Sequence, residues 1–520
     1  MSDPFLPPAN EVSVGGRAGE SGRGVLRNFV GGQWTPITGS ASIPVTNPAT
    51  GETIADHPQS NSADVDVAVA AAAGAFRKWW MTPVPTRSAM MFRYRHLVSE
   101  AQEELSRILV EENGKTLAEA RGEMLRALQY IEHACAVTET MKGSVTENVG
   151  SGVDIEYIRE PLGPFAIIAP FNFPAMIPLY FTWAVGAGNP VIVKPSEHCP
   201  LTTVRLVELA AEAGFPPGVV NMVLGDRTVV ERLAEHPDIV GLSFVGSSEI
   251  AERVYKLTTG FGKRCQSQGG SKNHLVVTDS AVIERCLPNI VSSMFGSSSQ
   301  RCFAGSNLLV YASIYNHFMD RFLQAVQKQK LGYGLDETAT LGPVISPEAR
   351  RRFEAAVDTA VAQGARVLLD GRGATVAGFA NGNWLGPTVV EADPGMDVFD
   401  RELFGPVRCV RAVSGLEEAL AIIDASTYGH TAAIYTEHGG VAREFRQRAN
   451  VGQIGINVGT PAPIAFYAVG GRKSSFYGSH RGRANDAIDF YTDKKVVVST
   501  WHVDTTQQSG ADPAFEGGVR

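Results

Sequence analysis

The chain has 520 residues, which is too long for one ordinary hydrophobic core, so we expect two or three domains. Its composition, with 44% hydrophobic and 19% charged residues, is that of a globular protein and excludes a disordered chain. The formal net charge of −8 argues against a general nucleic-acid binder.

The six cysteines are widely scattered and include no CxxC pair, which argues against a disulfide framework and against a zinc knuckle. A reducing, cytoplasmic location fits this usage best. We expect no metal site, because neither His133 nor His274 stands at a ligand spacing. The first residues lack an apolar signal core, and prolines and glycines break the apolar region from 167 to 193, so we expect no membrane segment.

Apolar periodicity predicts three helices after the first strands. The first runs from about 63 to 80, and the second from about 86 to a C-terminal cap at Gly114. The third begins at Thr116, which stands at capping-box spacing from Glu119, and ends near 143. Arg126 lies inside this helix, where it is either a surface cation or a side chain that points into a cleft.

From Gly163 onward, short apolar strands alternate with helices, which predicts a parallel sheet covered on both faces. Ligands bind such sheets beyond the C-terminal ends of the strands. Three segments follow strands in this way, so we expect them to share one crevice: 169–172, 194–197 and 246–248. A second alternation, from about 276 to 458, predicts another α/β domain.

The side chains at the predicted crevice suit a nucleotide. Gly246 and Ser247 open a helix, and the free N–H groups there could hold a pyrophosphate, although no GxGxxG fingerprint is present. Lys194 and Glu197 could hold ribose hydroxyls, or they could form an ion pair at the end of a strand. A carboxylate at Glu197 favours NAD over NADP, because it repels a 2′-phosphate.

Cys302 is the candidate nucleophile. It stands in the stretch Ser297-Ser298-Ser299-Gln300-Arg301-Cys302-Phe303-Ala304-Gly305-Ser306, whose small residues leave room for a substrate. Arg301 could keep the thiol deprotonated or bind an anionic group of the substrate. Taken alone, the stretch is also compatible with a loop that contains a cysteine by chance.

A basic run near the C-terminus is most simply a solvated loop, with binding of a phosphate-bearing ligand as the alternative. Its members are Arg472, Lys473, His480, Arg481 and Arg483.

Six motifs, in order from about residue 28 to 501, resemble those of the aldehyde dehydrogenase superfamily. They are Pro170-Phe171-Asn172-Phe173-Pro174, Lys194-Pro195-Ser196-Glu197, Phe244-Val245-Gly246-Ser247, Gly269-Gly270-Ser271-Lys272, Gln300-Arg301-Cys302-Phe303-Ala304-Gly305 and Glu402-Leu403-Phe404-Gly405-Pro406-Val407. Within the superfamily, the chain most resembles the CoA-acylating methylmalonate-semialdehyde dehydrogenase branch. The segments that carry this likeness are Lys272-Asn273-His274, Arg301-Cys302, Leu128-Gln129, Glu132-His133-Ala134-Cys135 and Arg472-Lys473-Ser474-Ser475-Phe476.

The resemblance implies an α/β subunit with two parallel-sheet domains, one NAD-binding and one catalytic, and a β-hairpin arm used in oligomerisation. Homo-oligomers of this branch are expected to be tetramers built as dimers of dimers. The implied segments are a flexible tail over 1–27, an NAD-binding domain over 28–139 and 162–273, a catalytic domain over 274–468, the arm over 140–161 and 484–503, and a flexible tail over 504–520.

The resemblance also implies roles for individual residues. Cys302 would be the nucleophile, and the Asn172 amide with the Cys302 backbone N–H would form the oxyanion hole; Asn172 could otherwise be a turn residue. Arg126 and Arg301 would hold the substrate carboxylate. The NAD-binding residues would be Ala169, Phe171, Lys194, Glu197, His198, Ser247, Gly269, Glu402 and Phe404.

Gln268 is the informative departure. Hydrolytic members of the superfamily carry a glutamate at this position as the general base for a deacylating water, and a glutamine cannot take up a proton. We therefore expect CoA to resolve the thioester as co-substrate. The expected reaction is the oxidation of malonate or methylmalonate semialdehyde with loss of CO₂. The alternatives are a hydrolytic aldehyde dehydrogenase and a binding protein on the same fold without turnover.

Overall fold

The chain forms two large, mostly parallel sheets with helices on their faces. A smaller antiparallel sheet forms the arm. The computed structural model describes residues 17–18 and 24–501. The helices of these residues are Ser62–Trp80, Val84–Glu100, Gln102–Asn113, Leu117–Cys135, Val137–Thr140, Phe181–Ala187, Leu201–Glu212, Arg227–Glu235, Ser248–Gly260, Ile283–Phe295, Tyr315–Gln327, Pro347–Ala362, Asp397–Asp400, Leu416–Ala425, Gly439–Arg448 and Ala484–Tyr491, with 3₁₀ turns at Pro178–Tyr180 and Gly296–Ser299.

The first sheet has eight strands, of which the five central ones are parallel. In spatial order the strands are Phe476–Tyr477, Arg264–Gln268, Gly241–Val245, Phe165–Ile168, Val191–Lys194, Val220–Met222, Asn28–Val30 and Gln33–Thr35. Phe165–Ile168 is a continuous apolar run and Val191–Lys194 is apolar up to Lys194, as expected for strands covered on both faces, whereas Arg264–Gln268 is buried from Cys265 onward but mostly polar.

The second sheet has seven strands, and all of them are parallel except the antiparallel edge strand Arg366–Leu369. In spatial order they are Arg366–Leu369, Thr388–Glu391, Val407–Val413, Gly305–Tyr311, Asn273–Val277, Thr431–Tyr435 and Gln453–Ile456. The strand Asn273–Val277 follows Arg264–Gln268 closely, so the chain passes from one sheet to the other beside the residues that form the site.

Three smaller sheets contain the remaining strands of the described residues. The arm is an antiparallel sheet of Thr492–Thr500, Val153–Pro161 and Ser144–Gly150. A four-stranded sheet contains Arg17–Ala18, Gly24–Leu26, Thr53–Pro58 and Ser42–Thr46, and Tyr428–Gly429 pairs with Arg472–Lys473.

The local signals for the helices were mostly right. The Thr116 side chain accepts from the backbone N–H of Glu119, whose carboxylate accepts from that of Thr116, so the predicted capping box is confirmed. Gly114 has φ 84° and caps the preceding helix as predicted. The predicted second helix is instead two helices, Val84–Glu100 and Gln102–Asn113, which are separated at Ala101 with φ −82° and ψ 7°.

Two predicted boundaries are wrong. Gly24–Leu26, assigned to the N-terminal tail, form a strand beside Thr53–Pro58, because Leu26 packs into the core. Residues 484–491, assigned to the arm, form a helix whose apolar face is buried in the core below the first sheet, so the arm strand begins at Thr492. Residues 1–16, 19–23 and 502–520, which include most of both predicted tails, lie outside the described residues.

None of the helices in the described part of the chain has both the length and the hydropathy that a membrane-spanning helix requires.

Candidate active site

The loop that carries Cys302 is held in an unusual backbone conformation. Ser297, Ser298 and Ser299 have φ values of 52°, 51° and 63°, in the left-handed region that non-glycine residues rarely adopt. Two of their hydroxyls hold the turn, because Ser298 Oγ donates to the Gly342 carbonyl at 2.7 Å and Ser299 Oγ to the Met294 carbonyl at 2.6 Å. The strained turn therefore fixes the direction in which the chain enters Cys302.

The peptide of Cys302 is anchored from the point where the chain passes from the first sheet into the second. Ser271 Oγ donates to the Cys302 carbonyl at 2.6 Å, and Asn273 Nδ2 donates to the same oxygen at 2.8 Å and to the Ala304 carbonyl at 2.9 Å. Sequence reasoning quoted Ser271 and Asn273 within motifs but gave them no role. Their position at the start of a strand directly after Gln268 was the signal available.

Burial raises the pKa of the Cys302 thiol to about 12; Arg483 and Arg301 act to lower it and Glu402 to raise it further. Arg301 turns toward the end of the helix Ile283–Phe295, where its Nη2 donates to the Ser292 carbonyl, and its buried Nε has no partner.

Asn172 lies beside the nucleophile loop. It is buried, and its Nδ2 donates to the Gln300 carbonyl at 3.1 Å, two residues before Cys302. The Asn172 carbonyl accepts from Lys115 Nζ at 2.6 Å, and Lys115 also forms a buried ion pair with Glu123. Sequence analysis did not predict that Lys115 and Glu123 support Asn172. The positions of these two residues, just before and within one helix, give no sign that they meet the loop that carries Asn172.

The Gln268 side chain reaches the aromatic side of the site. Gln268 is buried at the end of its strand, and its Nε2 lies 3.5 Å from the Tyr180 hydroxyl, a long and weak contact. A Cβ atom on Gly482 would lie 2.6 Å from this Nε2, so a larger residue there would displace the end of the Gln268 side chain. The position holds a neutral amide where a carboxylate would be needed to activate water.

A cleft of about 780 Å³ opens at the C-terminal ends of the central strands of the first sheet and extends to Cys302. Every residue assigned to the cofactor lines it: Ala169, Phe171, Lys194, Glu197, His198, Ser247, Gly269, Glu402 and Phe404. Asn172 lines it too, whereas Arg126, Arg301 and Gln268 are not among its lining residues. The helices Arg227–Glu235 and Ser248–Gly260 add an apolar wall that sequence analysis did not identify, formed by Val230, Ile250, Val254 and Leu257.

The cleft has the groups that a dinucleotide needs. Lys194 Nζ and Glu197 Oε2 lie 3.1 Å apart at its edge. Ser247 precedes a helix without making a side-chain capping bond, so N–H groups of the first turn remain available to an anion. The parallel strands bring these segments together as predicted.

Glu402 and Phe404 close the cleft near Cys302. Burial raises the pKa of Glu402 to about 7, although its carboxylate accepts from the Ser271 N–H at 2.7 Å. Phe404 has φ 61°, and its ring meets that of Phe171 edge-on with centres 5.8 Å apart. The strained backbone directs the Phe404 ring to the wall of the cleft.

Arg126 lies on the helix Leu117–Cys135, half-buried, with Nη1 3.2 Å from Gln129 Oε1. Glu119, which precedes Arg126 on the same helix, accepts from the Ser297 N–H at 2.5 Å. The charge of Glu119 also favours the charged form of Arg301. The helix thus contacts the nucleophile loop, but no contact joins Arg126 to Arg301 among the described residues.

Among the described residues, no group of three or more histidine, cysteine, aspartate and glutamate side chains is arranged to hold a metal ion.

The chain is similar to known enzymes over nearly its whole length. It is 40% identical over 476 residues to malonate-semialdehyde dehydrogenase 2 of Geobacillus thermodenitrificans, which covers 91% of this chain and 98% of the relative. Malonate-semialdehyde dehydrogenase 1 of Geobacillus kaustophilus is 41% identical over 477 residues, covering 91% of this chain and 97% of the relative.

Solved structures agree with the sequence comparison. A putative methylmalonate-semialdehyde dehydrogenase of Sinorhizobium meliloti 1021, complexed with NAD, superposes with a TM-score of 0.92 at 36% identity and covers 94% of this chain and 100% of its own. The methylmalonate-semialdehyde dehydrogenase of Oceanimonas doudoroffii gives a TM-score of 0.91 at 36% identity, with coverages of 92% and 99%. The predicted fold class is thereby confirmed.

The family model described as the aldehyde dehydrogenase family matches residues 34–497. This match covers most of the sequence and includes all six motifs, so the resemblance read from them is confirmed: the chain belongs to the aldehyde dehydrogenase family.

Proposed function

We propose that the protein catalyses the NAD-dependent, CoA-acylating oxidation of malonate or methylmalonate semialdehyde, with loss of CO₂, to give acetyl-CoA or propionyl-CoA. The observation that carries the acylating step is Gln268, a buried amide at the position where hydrolytic relatives need a carboxylate. The malonate-semialdehyde dehydrogenases at about 40% identity support the substrate class.

Cys302 begins the reaction. Its thiolate adds to the aldehyde carbon, and the Asn172 amide with the Cys302 N–H stabilises the resulting oxyanion. Lys194, Glu197, Ser247 and Glu402 would hold NAD, which would supply the acceptor for the hydride that leaves when the oxyanion collapses. Cys302 then carries the acyl group as a thioester.

The acyl group leaves in two further steps. The malonyl-type thioester loses CO₂, and the electron pair forms an enolate that the thioester carbonyl stabilises before it takes up a proton. The CoA thiolate then attacks the thioester carbon and releases the Cys302 thiolate. Because Gln268 cannot take a proton from water, the thiol is the effective acceptor.

The proposal is tested by following NADH with and without CoA. We expect a burst of about one NADH per active subunit without CoA, and sustained turnover with acyl-CoA as the product, identified by mass spectrometry, only when CoA is added. Sustained turnover without a thiol, with a free acid as the product, would instead establish a hydrolytic enzyme.

One observation favours that hydrolytic reaction as the second candidate. Glu402 lines the same cleft as Cys302, and a pKa of about 7 suits a general base. We place it second because the Glu402 carboxylate already accepts from the Ser271 N–H. A Glu402→Gln variant that abolished CoA-independent turnover while leaving acyl transfer to CoA intact would support the hydrolytic role.

The arm supports a homo-oligomer, which we propose to be a tetramer built as a dimer of dimers. Its sheet exposes apolar side chains on the described surface: Val145, Val149, Val496, Val498 and Trp501. Sedimentation velocity measures the assembly, and the double variant Val496→Lys, Val498→Lys should dissociate it.

We propose that the protein is located in the cytoplasm. Its six cysteines, which are all free, support this location.

A further inference from the structure

The prediction that the basic run near the C-terminus is a solvated loop is wrong for Arg483. Arg483 is only 5% exposed, whereas Arg472 of the same basic run is exposed. The backbone at Arg483 precedes the helix Ala484–Tyr491, whose apolar face packs into the core and carries Arg483 inward with it.

The guanidinium of Arg483 is incompletely paired. Its Nη1 donates to the Pro463 carbonyl at 3.1 Å, its guanidinium also hydrogen-bonds with the Tyr180 side chain, and its carbon lies 4.7 Å from the centre of the Tyr130 ring. Its Nε is buried without an acceptor, and no carboxylate of the described chain forms an ion pair with it.

A second buried arginine shows what a purely structural role looks like. Arg408 is 3% exposed, and each of its three nitrogens has an acceptor: Nε donates to the Met294 carbonyl, Nη1 to Ser306 Oγ and Nη2 to the Ser299 carbonyl, at 2.8, 3.2 and 2.9 Å. Burying a charged group that lacks such partners is unfavourable. An anion that binds beside Arg483 would offset this cost.

Arg483 lies in the cluster of rings beside Gln268, because the Tyr130 ring under its guanidinium lies 5.7 Å, centre to centre, from the ring of Tyr180, whose hydroxyl Gln268 Nε2 contacts. After burial, Arg483 is the group with the largest effect on the pKa of Cys302, ahead of Arg301. Burial acts against its own charge, but Tyr130, Tyr180 and Cys302 outweigh this effect and raise the pKa of Arg483. Nearby His430 cannot supply a negative charge, because it is a base and burial lowers its pKa to about 3.

The surroundings of Arg483 lie outside the cofactor cleft. Arg483 is not among the residues that line the cofactor cleft, whereas Gly482 beside it packs against Gln268 and the Tyr180 ring. An anion bound here is therefore part of the aldehyde substrate and not the pyrophosphate of a nucleotide.

We propose that Arg483 binds the carboxylate of the semialdehyde substrate and selects anionic over neutral aldehydes. The inference rests on the proposed function, since it names the residue that recognises that substrate class. A guanidinium suits the task because it stays charged and can form two parallel hydrogen bonds with a carboxylate.

The first experiment compares malonate semialdehyde with propanal, a neutral aldehyde of equal chain length. In Arg483→Gln, the ratio of kcat/KM for malonate semialdehyde to kcat/KM for propanal should fall by about 10²-fold, because only the anionic aldehyde loses an ion pair while both aldehydes share any change in the reactivity of Cys302. Arg483→Lys should recover part of the loss. Arg481→Gln is the matched control, because Arg481 stacks on Phe476 with 4.7 Å between its guanidinium carbon and the ring centre, and it should keep the wild-type preference.

The outcomes separate the two proposals. If the wild type prefers malonate semialdehyde and Arg483→Gln keeps that preference, or loses activity equally on both aldehydes, the role of Arg483 is overturned and the proposed function stands. If the wild type shows no preference for the anionic aldehyde, both are overturned.

A second measurement needs no turnover. Alkylation of Cys302 by anionic iodoacetate is compared with alkylation by neutral iodoacetamide, and mass spectrometry quantifies the modified Cys302 peptide. The iodoacetate-to-iodoacetamide rate ratio should exceed that of free 2-mercaptoethanol by about tenfold, and the excess should disappear in Arg483→Gln. A wild-type ratio equal to that of the free thiol would overturn the inference.

Discussion

The side-chain amide of Asn172 lies 3.1 Å from the carbonyl oxygen of Gln300, so the end of a strand in the first sheet is tied to the nucleophile loop of the second. This contact places one amide from the first sheet beside the loop that carries Cys302. The buried Lys115, which donates to the Asn172 carbonyl, fixes the peptide that presents the amide.

Asn172→Ala should lower the rate of the NADH burst by about 10²–10³-fold, because the oxyanion loses a fixed donor. Stopped-flow absorbance of NADH measures the burst directly. The dissociation constant of NAD should stay within about threefold of wild type. A burst that remains at the wild-type rate would show that Asn172 only shapes the turn.

Cys302→Ser should abolish the burst, with a loss of at least about 10³-fold, because a serine hydroxyl is a far weaker nucleophile at neutral pH. Cys286→Ser is the matched control, since Cys286 is buried in the helix Ile283–Phe295 and bonds to the Ile283 carbonyl. Unchanged dehydrogenase activity in Cys302→Ser would remove the thioester from the mechanism.

Gln268→Glu should create CoA-independent turnover. A carboxylate at this position can take a proton from water, and general-base catalysis contributes about 10²–10⁴-fold, so steady-state NADH formation without CoA should rise at least tenfold. Product analysis should show free acid in place of acyl-CoA. If turnover without CoA does not rise, deacylation is controlled by something other than this side chain.

The sequence was sufficient to predict that three segments meet at one cleft, because one rule covers their placement. Ala169, Lys194 and Ser247 each follow a parallel strand, and such ends must meet along one edge of the sheet. The break at Ala101 could not be predicted, since the apolar periodicity continues through it. The burial of Arg483 was equally hidden, because it depends on Tyr130, a residue more than three hundred positions away in the chain.

The binding of NAD should weaken as the pH falls through about 7. The pKa of Glu402 is raised from its ordinary 4.5 to about 7, so this carboxylate is ionised above pH 7 and becomes protonated below it, where it loses acceptor capacity toward a ribose hydroxyl. Calorimetric titration at pH 8 and pH 6 should show the dissociation constant rising by up to about tenfold at the lower pH.

Glu402→Gln should remove most of that pH dependence. The comparison is needed because burial also raises the pKa of Glu112 to about 7. Glu112 accepts from the Leu201 and Thr202 N–H groups and does not line the cleft, so its titration should persist in Glu402→Gln without affecting NAD. A pH profile that is identical in the variant and the wild type would exclude Glu402 as the titrating group.

Arg126 and Arg301 remain predicted ligands of the substrate carboxylate, and their surroundings lead to different expectations. Arg301 Nη2 already donates to the Ser292 carbonyl at a helix end, so Arg301→Gln should lower both the thermal midpoint and kcat/KM. Arg126 contacts only Gln129 through its side chain among the described residues, so Arg126→Gln should leave the thermal midpoint within about 2 °C of wild type. Its kcat/KM for malonate semialdehyde should fall at least tenfold, with little change for propanal. Equal losses on the two aldehydes in Arg126→Gln would show that the residue shapes the helix and does not meet the carboxylate. Arg483 and Arg301 would then remain as the proposed ligands of the substrate carboxylate.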